Sequence, residues 1–274
     1  MEKPKYIDWL VSEEDIVFED GIPLNCYKLD YNTNAAFFDD WALHLRRHYT
    51  YDDELRDSIS IHEIEGLSVE EYLRKYIIPQ KDEAFGPTAR SNDITEILFS
   101  DLFQFVLNYT VPRCKQHNRS GKNQSEHGTD IIAYKYNHID KIPNRLDELL
   151  VIEVKSGISS ESYDPIIDSI SDSHKYDEVR HALTLDFYRK KLNSINNIEQ
   201  SKDITRFLLK SKFPYKITYI GAGINSKEYI ENKVIIGIEG DSLNLRSDNK
   251  VFLVHGKRLM ELTHEIFERC TRWY

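Results

Sequence analysis

Leu149-Leu150-Val151-Ile152-Glu153-Val154-Lys155-Ser156 is the stretch on which the fold turns. An apolar run this dense reads as a strand covered on both faces, the situation in a sheet flanked by helices. Glu153 and Lys155 stand at i and i+2 near its end, so both side chains point the same way. A carboxylate and an ammonium there are costly to bury unless they bind each other or a third group. About twenty residues upstream, Gly128-Thr129-Asp130 opens a second strand over 129–136, the glycine allowing a sharp turn. A hairpin between the two strands brings Asp130 beside Glu153.

Working outward, Asn92 or Asp93 is expected to cap an amphipathic helix reaching about Asn108, with Ile94, Ile97, Leu98, Leu102, Phe105 and Val106 on one stripe. Residues 109–115 read as a strand and 116–127 as a polar loop. Residues 160–193 read as mostly helical, 216–224, 233–238 and 251–255 as strands, and 258–269 as a closing helix. Gly221-Ala222-Gly223 lacks a third glycine and a following helix, so it is taken as a turn and not a dinucleotide-binding loop. Before the helix, residues 16–30 alternate around Gly21-Ile22-Pro23 like a hairpin, and Asn34 caps a helix over 35–48. Ser68 with Glu71 has the spacing of a capping box for a helix over 69–77, which Pro79 ends. The pattern is an α/β architecture with a mixed central sheet flanked by helices. The breaker-rich Lys81-Asp82-Glu83-Ala84-Phe85-Gly86-Pro87 sets a boundary, dividing a smaller acidic α+β domain (1–82) from a main domain (83–274).

Charge supports that division. The chain has 274 residues and a net charge of −10, yet residues 1–82 hold 9 Lys+Arg against 19 Asp+Glu, and the remainder is neutral. An acidic segment repels phosphates, so its expected role is docking on a basic partner or restraint of the basic part of its own chain. Between Arg189 and Lys216 the net charge is +6, which nominates Lys190, Lys191, Lys210 and Lys212 as nucleic-acid contacts. Arg113, Lys115, Arg119 and Lys122 form a second basic group. Three scattered cysteines form neither a disulfide framework nor a zinc motif, and no run is long enough to span a bilayer. A soluble protein of the reducing cytoplasm, with no membrane partner, is expected.

Two carboxylates, Asp130 and Glu153, converging with Lys155 suit Mg²⁺, with Mn²⁺ as substitute. Such an ion neutralises phosphoryl oxygens and activates water, while the lysine serves that water. Glu96, in the first turn of the preceding helix, is a third candidate ligand. There is no HExxH zinc motif, P-loop or Gly-x-Ser-x-Gly elbow.

These residues resemble the PD-(D/E)xK nuclease superfamily: Asp130 matches the first acid, Glu153 and Lys155 the Glu-x-Lys, and Glu96 the helical glutamate. Thr129 stands where that motif has proline. Arg90-Ser91-Asn92-Asp93 with Glu96, followed by Gly128-Thr129-Asp130 and Ile152-Glu153-Val154-Lys155, is similar to the HamA nuclease family of Hachiman anti-phage defence, over about residues 85–190. The resemblance implies a restriction-endonuclease-like core, DNA as substrate and a superfamily-2 helicase as partner. The expectation is a metal-dependent DNA endonuclease. Its rivals are a non-catalytic nucleic-acid-binding or adaptor subunit retaining the fold, and an α/β enzyme acting on a small phosphorylated substrate.

Overall fold

The structure, a computed structural model, describes residues 1–17, 23–62, 66–126, 128–159, 165–226 and 249–272. The apolar run lies inside β5 (Glu148–Gly157), which pairs antiparallel with β4 (Ile131–Lys135) and parallel with β6 (Lys216–Ser226). β6 pairs parallel with β7 (Lys250–Gly256), and β7 parallel with β3 (Pro23–Leu29). Two short strands, β1 (Leu10–Ser12) and β2 (Ile16–Val17), lie antiparallel against β3. The described residues thus form one seven-stranded mixed sheet with β4 at an edge.

Helices cover it. They are α1 (Ala35–Tyr49), α2 (Asp52–His62), α3 (Val69–Tyr72), α4 (Gly86–Asp101), α5 (Pro165–Ser173), α6 (Glu178–Ser194), α7 (Ile198–Leu208) and α8 (Leu259–Cys270). Wider π turns extend α3 through Leu73–Ile77 and α4 through Leu102–Val106. Strand alternation divides β5 between two cores. Leu150, Ile152 and Val154 pack with Ile94, Ile97 and Leu98 of α4. Leu149 packs with Ile132 and Tyr134 of β4 and with Leu185, Tyr188 and Leu192 of α6.

Local signals act as expected at two helix starts: Asn34 accepts from the Ala36 amide, and Ser68 and Glu71 form the reciprocal capping box. Asp177 caps α6. The cap expected at Asn92 or Asp93 is not one, since α4 starts at Gly86 and both residues, with Glu96, lie inside it. Other elements differ from the sequence pattern. Gly86-Pro87 begins α4 and does not break it: Phe85 takes a left-handed turn at φ 61° and Pro87 presets the first helical turn. Residues 109–115 are not a strand, because only Thr110 bridges to Tyr134 and the chain then turns back along α4. The helical stretch after residue 160 splits into α5 and α6. The turn at Gly21-Ile22, His127 and the strand expected over 233–238 lie outside the described residues.

Among the described residues, those of the first 82 share their sheet and core with the rest of the chain. β3 hydrogen-bonds to β7, and Tyr6, Trp41 and Leu45 share one hydrophobic cluster with Phe99, Ile152 and Phe267. The physical reason is that β3 is apolar enough to be covered, and its partner comes from the far end of the chain.

Gly221-Ala222-Gly223 is the middle of β6, not a turn. Its glycines let α5 lie directly on the sheet: a Cβ at Gly221 would stand 2.9 Å from Ile170 Cγ1 and from Ser169 Oγ. Gly221→Val should therefore push α5 off β6 and destabilise the fold by about 1–3 kcal/mol. Urea unfolding checks this, and an unchanged midpoint would mean that the close approach is not tight.

Candidate active site

Beyond α4 the chain doubles back along it, and three cations, Lys115 buried and Arg113 and Arg119 partly so, meet three acids of the helix in reverse order. Arg113 donates to Asp101 at 2.6 Å, Lys115 lies 3.5 Å from Glu96, and Arg119 forks onto both oxygens of Asp93 at 2.9 and 2.6 Å. The second basic group is thus a ladder inside the fold, which Lys122 extends to Glu83. Residues of the acidic first third join it. Tyr6 and His44 donate to Asp101, and Tyr49 to Asp93.

This ladder delivers a cation to the sheet edge. Continuing the β4–β5 register from Ile131↔Ile152 sets Asp130 opposite Glu153. The Val154 amide donates to Asp130 Oδ2 at 2.8 Å, and Lys115 Nζ donates to Oδ1 at 3.1 Å. Tyr188 of α6 donates to the Asp130 carbonyl at 3.0 Å. Glu96 also accepts from Gln116 at 2.9 Å. Lys115 therefore bridges Glu96 and Asp130.

Glu153 and Lys155 share the β5 face turned to α5 and α6, by alternation with Leu149. Glu153 accepts from Arg180 at 2.9 Å, and Lys155 forms an ion pair with Asp172, which also binds Lys175. Asp130 is in register with Glu153, whereas Glu96 comes from α4 on the other side of the sheet and reaches Asp130 around the β4 edge. A polar cavity of about 410 Å³ opens here, lined by Asn92, Thr95, Glu96, Asp130, Lys155 and Ser156. The Ser91 and Ser156 hydroxyls meet at 2.6 Å and tie α4 to the end of β5.

Glu96, Asp130 and Lys155 thus line one cavity, and Glu153 stands beside it, opposite Asp130 in the sheet. Lys115, Arg180 and Asp172 complete the site and were not singled out. Lys115 was visible only as one of a basic group, and the other two lay in a stretch read simply as helix. Lys190 and Lys191 lie on α6, ten residues or about 15 Å from Arg180. Lys190 pairs with Asp186 and the half-buried Lys191 with Glu126. Lys210 and Lys212 are exposed beyond α7, over the Tyr215 and Phe213 rings.

Burial and charge set the proton affinities. Burial pushes Glu96 up to about 8 against the pull of Lys115. Burial and the neighbouring Asp130 charge raise Glu153 to about 7, against Arg180. Burial disfavours the Lys115 and Lys155 ammonium ions. Glu96 and Asp130 outweigh it for Lys115, and Asp172 does so for Lys155, so both hold their protons more tightly than usual.

A second polar cluster lies deeper. His44, His48 and Asp101 bring three ligand atoms within 4.8 Å of one another. Asp101 already accepts from Tyr6, His44 and Arg113, and the Arg113 guanidinium opposes a further cation. Burial alone would raise the Asp101 carboxyl, yet His44 and Arg113 hold it well below the usual carboxylate range. The cluster is a hydrogen-bonded anchor joining α1, α4 and the returning loop.

A family model described as HamA matches residues 4–270, well beyond the motif-bearing stretch. No curated protein matches the chain.

Glu96 and Glu153 bind protons more tightly folded than unfolded, so their contribution to stability is full below the ordinary glutamate range. It is lost as pH rises through about 7 and about 8. Stability in metal-free buffer should fall as pH rises from the ordinary glutamate range, about 4.5, to about 8. The melting temperature against pH should show a shallower slope in Glu96→Gln and Glu153→Gln, and equal slopes in all three proteins would contradict this assignment.

Proposed function

Because the chain belongs to the HamA family, we propose that it is the metal-dependent nuclease of a bacterial anti-phage defence complex, cutting DNA in partnership with a superfamily-2 helicase. The observation that carries this reading is the hairpin that sets Asp130 against Glu153, with Lys155 two residues on, at a polar cavity. The donor chemistry fits a hard divalent cation. Burial, with the Asp130 charge adding to it, raises the proton affinities of Glu96 and Glu153, and a divalent ion at these oxygens would offset both effects.

Asp130 and Glu153 would hold Mg²⁺ or Mn²⁺, and the bound ion supplies charge neutralisation at the phosphoryl oxygens and an activated water. Lys155, steadied by Asp172, directs a positive charge at the cavity, where it can orient that water or offset developing charge. Glu96 acts from behind by holding Lys115 and Gln116 against the Asp130 side. Among the described residues no helix is long and apolar enough to cross a membrane, which is compatible with work in the cytoplasm. The exposed Lys210 and Lys212, with Lys190 and Lys191, are proposed to contact nucleic acid at a distance from the cavity. A helicase subunit is proposed to grip the acidic surface of the first third by charge complementarity.

One observation favours the adaptor alternative: Glu153 and Lys155 are already satisfied by Arg180 and Asp172, as in a site that never turns over. Plasmid cleavage separates the two. Glu153→Ala or Lys155→Ala should lower cleavage by roughly a hundredfold or more while leaving the melting temperature near that of the parent. Mg²⁺ and Mn²⁺ should support cutting and Ca²⁺ should not, because Ca²⁺ accepts looser coordination. Cleavage persisting in the double variant would sink the site assignment. A wild-type chain that binds DNA but cuts nothing, alone or with its helicase, would establish the adaptor.

A further inference from the structure

Lys115 differs from its neighbours on the ladder. Arg113 and Arg119 each serve one acid of α4, Arg119 with a two-pronged fork. The rung between them is a lysine shared by two acids, 3.1 Å from Asp130 Oδ1 and 3.5 Å from Glu96 Oε2. It is 4% exposed, so water does not screen its charge. It is also held in place from both sides, because Arg113 and Gln116 fasten the adjoining backbone to Asp101 and Glu96.

The Asp130 carboxylate has no oxygen without a donor. Oδ2 accepts the Val154 amide inside the sheet, and Oδ1 accepts Lys115. The backbone bond is part of the hairpin and cannot be given up cheaply. A cation arriving at Asp130 meets the Lys115 ammonium at Oδ1 and the backbone amide at Oδ2, so at either oxygen it sits within reach of the lysine charge. Glu153 is likewise engaged, by Arg180. The carboxylates on which a divalent ion depends are largely neutralised by the protein itself.

We propose that the Lys115 ammonium competes with the divalent ion for Asp130, so that the ion is held weakly until a nucleic-acid phosphate adds negative charge at the same place. This rests on the nuclease reading given above and assigns Lys115 a role within it. Lys115 is a positioning residue that sets ion affinity and couples ion loading to substrate. A nuclease built this way stays largely unloaded when no substrate lies in its cavity.

The test is direct Mn²⁺ binding to the full chain by calorimetry, with and without a short DNA duplex. The proteins are the parent, Lys115→Gln, Lys115→Met, Lys115→Arg and Asp130→Asn. Glutamine keeps a hydrogen-bond donor for the two acids and so preserves folding if methionine does not. Removing the charge should tighten Mn²⁺ binding without DNA by roughly tenfold or more, while arginine leaves it near the parent value. The melting temperature should rise more on Mn²⁺ addition in Lys115→Gln than in the parent. DNA should tighten Mn²⁺ binding more in the parent than in Lys115→Gln. If Asp130→Asn abolishes binding but Lys115→Gln binds Mn²⁺ no tighter than the parent, the competition is overturned and the ion site stands. If Mn²⁺ binding is the same in Asp130→Asn as in the parent, the ion is not at Asp130, and the nuclease site and the proposal fail together.

Discussion

The return of the chain along α4, fastened by buried ion pairs to Asp93, Glu96 and Asp101, is the constraint on which the rest of the structure depends. Breaking one partner of such a pair typically costs about 3–5 kcal/mol, because it strands a charge in a medium that cannot solvate it. A domain is stable by only about 5–15 kcal/mol in total, so a single lost rung consumes a large share. The pairs are therefore specific as well as costly: each acid of α4 selects one cation, and the order fixes the path of the loop. That path leads directly to Asp130. The acids and cations that assemble the site are continuous with those that hold the helix to the sheet.

The charge asymmetry along the chain has a use within the fold. Acids of the first third meet side chains elsewhere: Glu13 the His255 ring, Glu54 the His117 ring, and Asp39 the Arg269 guanidinium. Tyr6 and Tyr49 add hydrogen bonds to the α4 acids. The early segment is thus tied into the sheet by β3 and into the ladder by side chains, and it supports the helix that carries Glu96.

How much of this the sequence revealed depends on the range of the interaction. The β4–β5 hairpin was legible because an apolar strand interior, a glycine before Asp130 and a period of two are local properties. Asn34 and the Ser68–Glu71 box were legible because caps act within three residues. Gly221-Ala222-Gly223 misled, since a glycine that makes room for α5 looks the same in sequence as one that turns the chain. Gly86-Pro87 misled likewise, serving as a helix start where a breaker was expected. Lys115, Arg180 and Asp172 were hidden because their meaning is set by contacts 15 or more residues away, to Asp130, Glu153 and Lys155. No residue spacing encodes an ion pair across two elements.

The central claim is that the divalent ion belongs beside Asp130 and Glu153, and that the histidine-bearing cluster around Asp101 is structural. Anomalous diffraction from crystals grown with Mn²⁺ and a short DNA duplex tests it most directly. One peak in contact with the Asp130 and Glu153 carboxylates, and none at His44, His48 and Asp101, is the predicted result. A peak at the histidine cluster with none at Asp130 would contradict the account.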